Sequence, residues 1–178
     1  RYFRTAISLS CSTGPTRMSD AIKHECGIAF IRLRKPYQYY IDKYKTPLYA
    51  VSKLYLLMEK QVNRGQDGAG IANIKIDVPP GHRYISRYRS VEQQPVADIF
   101  AKVNKKFRKS LKGHKDKARD AQWLQENVAF TGEVWLGHLR YGTHGANEIE
   151  NCHPMLRQSN WRSRNLVMAG NFNMTNVD

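Results

Sequence analysis

Four stretches of this chain carry residue types that could do chemistry together. The first is Cys26-Gly27, a thiol followed by a glycine whose missing side chain lets a ligand approach the backbone. The second is Asn63-Arg64-Gly65-Gln66-Asp67-Gly68-Ala69-Gly70-Ile71, an arginine and an aspartate set among glycines. The third, Gly137-His138-Leu139-Arg140-Tyr141-Gly142-Thr143-His144-Gly145, supplies Arg140, whose planar guanidinium suits a carboxylate held through two parallel hydrogen bonds. The fourth joins Asn151-Cys152-His153-Pro154 to Asn171-Phe172-Asn173-Met174-Thr175-Asn176, which is rich in amide donors. Any one of these is weak, because a free cysteine is most often a small buried hydrophobe and a glycine cluster most often a turn.

The elements that must position these residues follow from periodicity. Residues 26–33 form a β-branched and aromatic run between charges, which predicts a buried strand with Cys26 at its entrance. Thr46-Pro47 predicts a helix start, with Leu48, Val51, Leu54, Tyr55 and Met58 at helical spacing and an end near Asn63. Gly65, Gly68 and Gly70 predict a loop into a second strand over 71–76, stopped by Pro79-Pro80-Gly81. Ile99, Val103 and Phe107, four apart, predict a helix, and 120–127 reads as another. Residues 134–141 predict a strand that delivers Arg140 at its end, and 166–169 a short strand running into Asn171. Strand, helix and strand in succession argue for a mixed α/β layered fold.

In this order and at these spacings the four stations resemble the class II glutamine amidotransferases, N-terminal-nucleophile (Ntn) hydrolases whose domain releases ammonia from glutamine. The Arg-Gly-Gln-Asp spelling is most similar to that of amidophosphoribosyltransferases. The Thr-His-Gly and Asn-Cys-His-Pro spellings lean toward glucosamine-6-phosphate synthases. The resemblance spans residues 26–178 and implies an α/β (α+β) Ntn fold, a four-layer αββα sandwich. It implies that Cys26 forms a γ-glutamyl thioester and that its own α-amine, with a pKa of about 8, is the base once Cys26 begins the mature chain. Arg140 would hold the α-carboxylate of glutamine, with Tyr141, Thr143 and His144 beside it and Arg64 on the facing loop. Asn171 and the backbone N–H of Phe172 would stabilise the oxyanion. His138 and His153 are expected to be structural hydrogen-bonders rather than catalysts.

The chain departs from the family pattern at several points. Asn63 stands where the family usually has histidine, Gly170 where histidine usually precedes the oxyanion asparagine, and Phe172 where glycine is usual. Residues 1–25 are expected to be a propeptide, a leader or sequence translated upstream of Met18, and the α-amine mechanism requires their removal. The acidic residue that grips the α-amino group of glutamine is expected beyond Asp178, so the glutaminase domain, 26–178, is expected to be C-terminally truncated and the acceptor domain absent. In the intact parent the resemblance implies a homo-oligomer whose phosphoribosyltransferase domain uses Mg2+; no cofactor or metal is expected in this chain.

Composition bounds these readings. The chain has 178 residues, 41% hydrophobic and 25% charged, which suits one folded domain. No apolar run approaches the roughly 18 residues of a membrane span. Three dispersed cysteines support neither a disulfide framework nor an iron–sulfur cluster, and a reducing, cytoplasmic compartment is expected. The net charge is +14, and residues 83–119 hold twelve Lys and Arg against three Asp and Glu, a surplus of nine. That segment reads as a solvated helix face. A nucleic-acid-binding reading of it lacks a binding motif and is disfavoured. A second rival is a catalytically silent glutaminase-like module whose Cys26 amine stays blocked.

Overall fold

The computed structural model describes residues 25–142 and 148–171. Thr143, His144 and Phe172 of the expected site, and all of the leader except Glu25, lie outside them. The apolar run after Cys26 forms strand β1 (Gly27–Arg32), and the run before Tyr141 forms β4 (Val134–Arg140). Between them lie α1 (Tyr37–Tyr44), α2 (Tyr49–Glu59), β2 (Gly68–Ile74), β3 (Ile85–Ser90), α3 (Pro95–Ser110) and α4 (Ala121–Asn127). A hairpin follows, β5 (Met155–Arg157) paired with β6 (Leu166–Met168). The first four strands make one antiparallel sheet in the order β1-β4-β2-β3. The described chain is therefore mixed α and β with antiparallel sheets.

Helices cover one face of this sheet, α2 over β1 and β4, and α3 over β2 and β3. Leu54 and Met58 of α2 and Ile99, Val103 and Phe107 of α3 meet Ile71, Trp135 and Leu139 in the core. Gly137 lies under Met58 and Leu54, where a Cβ would come within 2.7 Å of the Met58 sulfur. Lys102, Lys105, Arg108 and Lys109 point outward from α3, so this part of the basic segment is a solvated helix face. Asp120 caps α4 by accepting the Trp123 N–H at 3.0 Å.

The opposite face of the sheet receives the segment 152–154, which leads into the hairpin. A Cβ on Gly68 would lie 2.6 Å from Cys152 Sγ, and one on Gly70 would lie 2.9 Å from the His153 carbonyl carbon. Arg89 of β3 donates to the carbonyls of Glu150 and Cys152, each at 3.2 Å, and Arg87 to that of Pro154 at 3.3 Å. The four-stranded sheet thus lies between helices on one face and the 152–154 segment on the other.

Several local expectations change. Thr46 accepts the Leu48 N–H at 3.1 Å in a turn that precedes α2, which begins at Tyr49 rather than at Pro47. The helix stops at Glu59, and a 3-10 turn (Val62–Arg64) carries the chain to Gly65. Strand β2 begins at Gly68, so Gly68 and Gly70 are strand residues, because the layer above rests directly on them. Elements α1, β3 and β5 have no counterpart in the periodicity.

Candidate active site

The register brings three of the four stations to one end of the sheet. Gly27 pairs with Leu139, so Cys26, one residue earlier, meets β4 where it ends, and its half-buried thiol lies 4.0 Å from the Tyr141 carbonyl oxygen. Arg140 pairs with Gly68 and is only 6% exposed, which rules out a role as a surface ion-pair residue. The glycine loop is laid across the same end. A Cβ on Gly65 would come within 2.7 Å of the Arg140 carbonyl carbon, so only glycine allows that approach. The Asp67 N–H donates to the Arg140 oxygen at 3.1 Å, and the Asp67 carboxylate accepts the Gly142 N–H at 2.7 Å. Asp67 therefore ties the loop to the chain on both sides of Tyr141, a linking role that its place in the station did not disclose.

Arg64 faces elsewhere in this chain. Its guanidinium pairs with Glu25 at 3.3 Å, both side chains being about half exposed, a geometry that contributes little to stability. The residue it holds is the one immediately before Cys26.

The fourth station lies over the same sheet face, further along β4. His138 pairs with Gly70 in register, and its ring lies 4.6 Å from that of His153 at an interplanar angle of 51°. His138 Nε2 is 3.2 Å from the Gly170 carbonyl oxygen, and the Gly170 N–H donates to His153 Nδ1 at 3.3 Å. Asn171, exposed, comes directly after this pinned residue. Burial pushes the His138 imidazole down to about 4, with His153 and Arg140 adding to the shift. Burial also lowers His153, with Arg140 and Arg89 contributing against the Gly170 hydrogen bond. Both rings are therefore neutral at pH 7 and act as structural hydrogen-bonders. Of the two described cysteines, Cys152 is fully buried, its thiol raised mainly by burial and directed at the Ser90 oxygen at 3.9 Å. An inert packing role suits it, and of the two described thiols Cys26 is the more accessible one.

Among the described residues no group of His, Cys, Asp and Glu side chains is arranged to hold a metal, and no helix is long and apolar enough to cross a membrane. Sequence reasoning passed over Arg87 and Arg89, which fasten the 150–154 segment; the Arg-Tyr-Arg alternation of β3 was the available signal. No protein-family model, curated protein or solved structure matches the chain.

Proposed function

We propose that the chain is the glutaminase domain of a class II glutamine amidotransferase, which hydrolyses glutamine to glutamate and ammonia. The observation that carries this reading is the convergence of Cys26, the buried Arg140 and the Gly65–Asp67 loop at one end of a sheet. The thiolate of Cys26 attacks the carboxamide carbon, and the thiol proton passes to the Cys26 α-amine. The developing oxyanion is held by the Asn171 amide and the Phe172 N–H. The ammonium form of that amine returns the proton to the leaving ammonia, and water then cleaves the γ-glutamyl thioester. Arg140 orients the substrate through its α-carboxylate, with Tyr141, Thr143 and His144 alongside.

In this reading the helices and the four-stranded sheet are part of a four-layer αββα Ntn sandwich. The intact parent is a cytoplasmic homo-oligomer that passes ammonia to a phosphoribosyltransferase domain using Mg2+, in purine biosynthesis. The glucosamine-6-phosphate synthase type is the alternative acceptor. The Arg64–Glu25 pair favours one second reading, a silent module, because in the unprocessed chain it engages the loop arginine and leaves the Cys26 nitrogen an amide. Cleavage before Cys26 removes Glu25 and releases Arg64 toward substrate.

The test is the N-terminal sequence and glutaminase activity of the full-length protein from its native cell. A chain beginning at Cys26, with ammonia release abolished by Cys26→Ala, is expected. Activity that survives Cys26→Ala refutes the assignment, and an inactive mature chain that still carries Glu25 makes the silent module correct.

A further inference from the structure

The glutaminase reading uses Cys26, Arg140 and Asn171 and leaves two buried histidines without a part. Both converge on Gly170, the residue immediately before Asn171. His138 Nδ1 is buried without a hydrogen-bond partner, so a proton placed there would be an unpaired buried donor. The proton of the neutral ring therefore sits on Nε2, which donates to the Gly170 carbonyl oxygen at 3.2 Å. His153 Nδ1 lies 3.3 Å from the Gly170 nitrogen and 3.1 Å from its oxygen, and a neutral ring nitrogen either donates or accepts. With Nδ1 unprotonated it accepts the Gly170 N–H, and that tautomer gives both backbone groups of Gly170 a partner.

Each ring is itself fixed. His138 sits in β4 between β1 and β2. His153 rests on Gly70, with the carbonyls on either side of it held by Arg89 and Arg87. Gly170 thus hangs over His138, two residues before Arg140 on the same face of β4, about 7 Å along the strand. Beyond that point the Cys26 thiol meets the end of the strand.

We propose that His138 and His153 are positioning residues that clamp both backbone groups of Gly170 and so aim the Asn171 amide at the oxyanion forming on Cys26. The inference rests on the glutaminase reading. A donor aimed at the oxyanion acts in the transition state and not on bound glutamine, so loosening the clamp lowers kcat and leaves KM in place.

Glutamine and asparagine substitutions separate this role from simple packing. A glutamine amide reaches the place of Nε2, whereas an asparagine amide reaches only that of Nδ1. Steady-state glutaminase kinetics on the processed full-length protein are expected to give a crossed pattern. His138→Gln keeps kcat within about threefold while His138→Asn loses about 30-fold or more, and His153→Asn keeps activity while His153→Gln loses it, all with KM within about twofold. Thermal unfolding of the four variants confirms that they fold, and each pair is similarly polar, so one misfolded member leaves the other pair decisive. An active wild type without the crossed pattern, or with the losses in KM, overturns this inference alone. A wild type that begins at Cys26 and has no glutaminase activity overturns the glutaminase reading and this inference with it.

Discussion

Gly70→Ala is the sharpest test of how the second layer sits on the sheet. The added methyl would lie 2.9 Å from the His153 carbonyl carbon and 3.0 Å from Pro154 Cδ, closer still to the His153 oxygen. The obstacle is backbone, so relief needs a displacement on the order of 1 Å in a close-packed interior. A shift of that size stretches the 3.2 Å bond from Arg89 to the Cys152 carbonyl and the 3.3 Å bond from Arg87 to that of Pro154 past hydrogen-bonding range. Overpacking costs about 1–3 kcal/mol, and each charge-assisted bond lost adds about 1.5 kcal/mol or more. A destabilisation of about 4 kcal/mol is expected, a fall in Tm of about 10 °C for a chain of this size. Gly68→Ala is the control, because the first atom its methyl meets is the Cys152 sulfur at 2.6 Å, a side chain that Cys152→Ala removes. Gly68→Ala is expected to cost about 1–3 kcal/mol, and the double variant Gly68→Ala with Cys152→Ala to recover at least about 1 kcal/mol of it. Urea unfolding followed by tryptophan fluorescence reads both, with the midpoint moving at constant slope. A Gly70→Ala midpoint within about 0.5 kcal/mol of wild type would refute the placement of residues 152–154 on β2.

Lys75 is 2% exposed and donates to the Gln125 and Val128 carbonyls at 2.5 and 2.7 Å, and burial, with help from Arg83 and against Glu133, lowers its ammonium to about 8. The folded value lies below the unfolded one, so between pH 8 and 10.5 the unfolded chain binds more protons and stability rises with pH. The stability of wild type relative to Lys75→Met is expected to increase by on the order of 3 kcal/mol across that window, measured by urea unfolding at pH 7.5 to 10; a flat or falling difference contradicts the buried amine. Asp120→Ala removes the side-chain acceptor of the Trp123 N–H and should cost about 1 kcal/mol, whereas Asp120→Asn should be close to neutral in thermal unfolding. Under the glutaminase reading, Arg140→Lys keeps the charge and loses the two-pronged grip, so KM for glutamine should rise about tenfold or more with kcat little changed. An unchanged KM would remove Arg140 from the carboxylate site.

Elements whose apolar residues repeat locally were legible in the sequence. Strands β1, β4 and β6 and the inward faces of α2, α3 and α4 all stand where periodicity placed them. Helix α1 escaped because only Tyr37 and Ile41 are buried among half-buried or exposed tyrosines, too few for a pattern. Strand β3 escaped because Arg87 and Arg89 occupy one of its faces, and their partners are carbonyls more than sixty residues away.

By itself the sequence determined which residue types are available at the candidate site and which strands deliver them, because a thiol at a strand entrance and an arginine at a strand end are local facts. The tertiary structure alone decided that Gly68 and Gly70 belong to a strand, that Arg64 faces Glu25, and that two histidines grip Gly170. Each of these depends on the approach of segments distant in sequence. Backbone spacing between layers and the satisfaction of buried polar groups are settled by that approach, and side-chain periodicity along one segment carries no record of it.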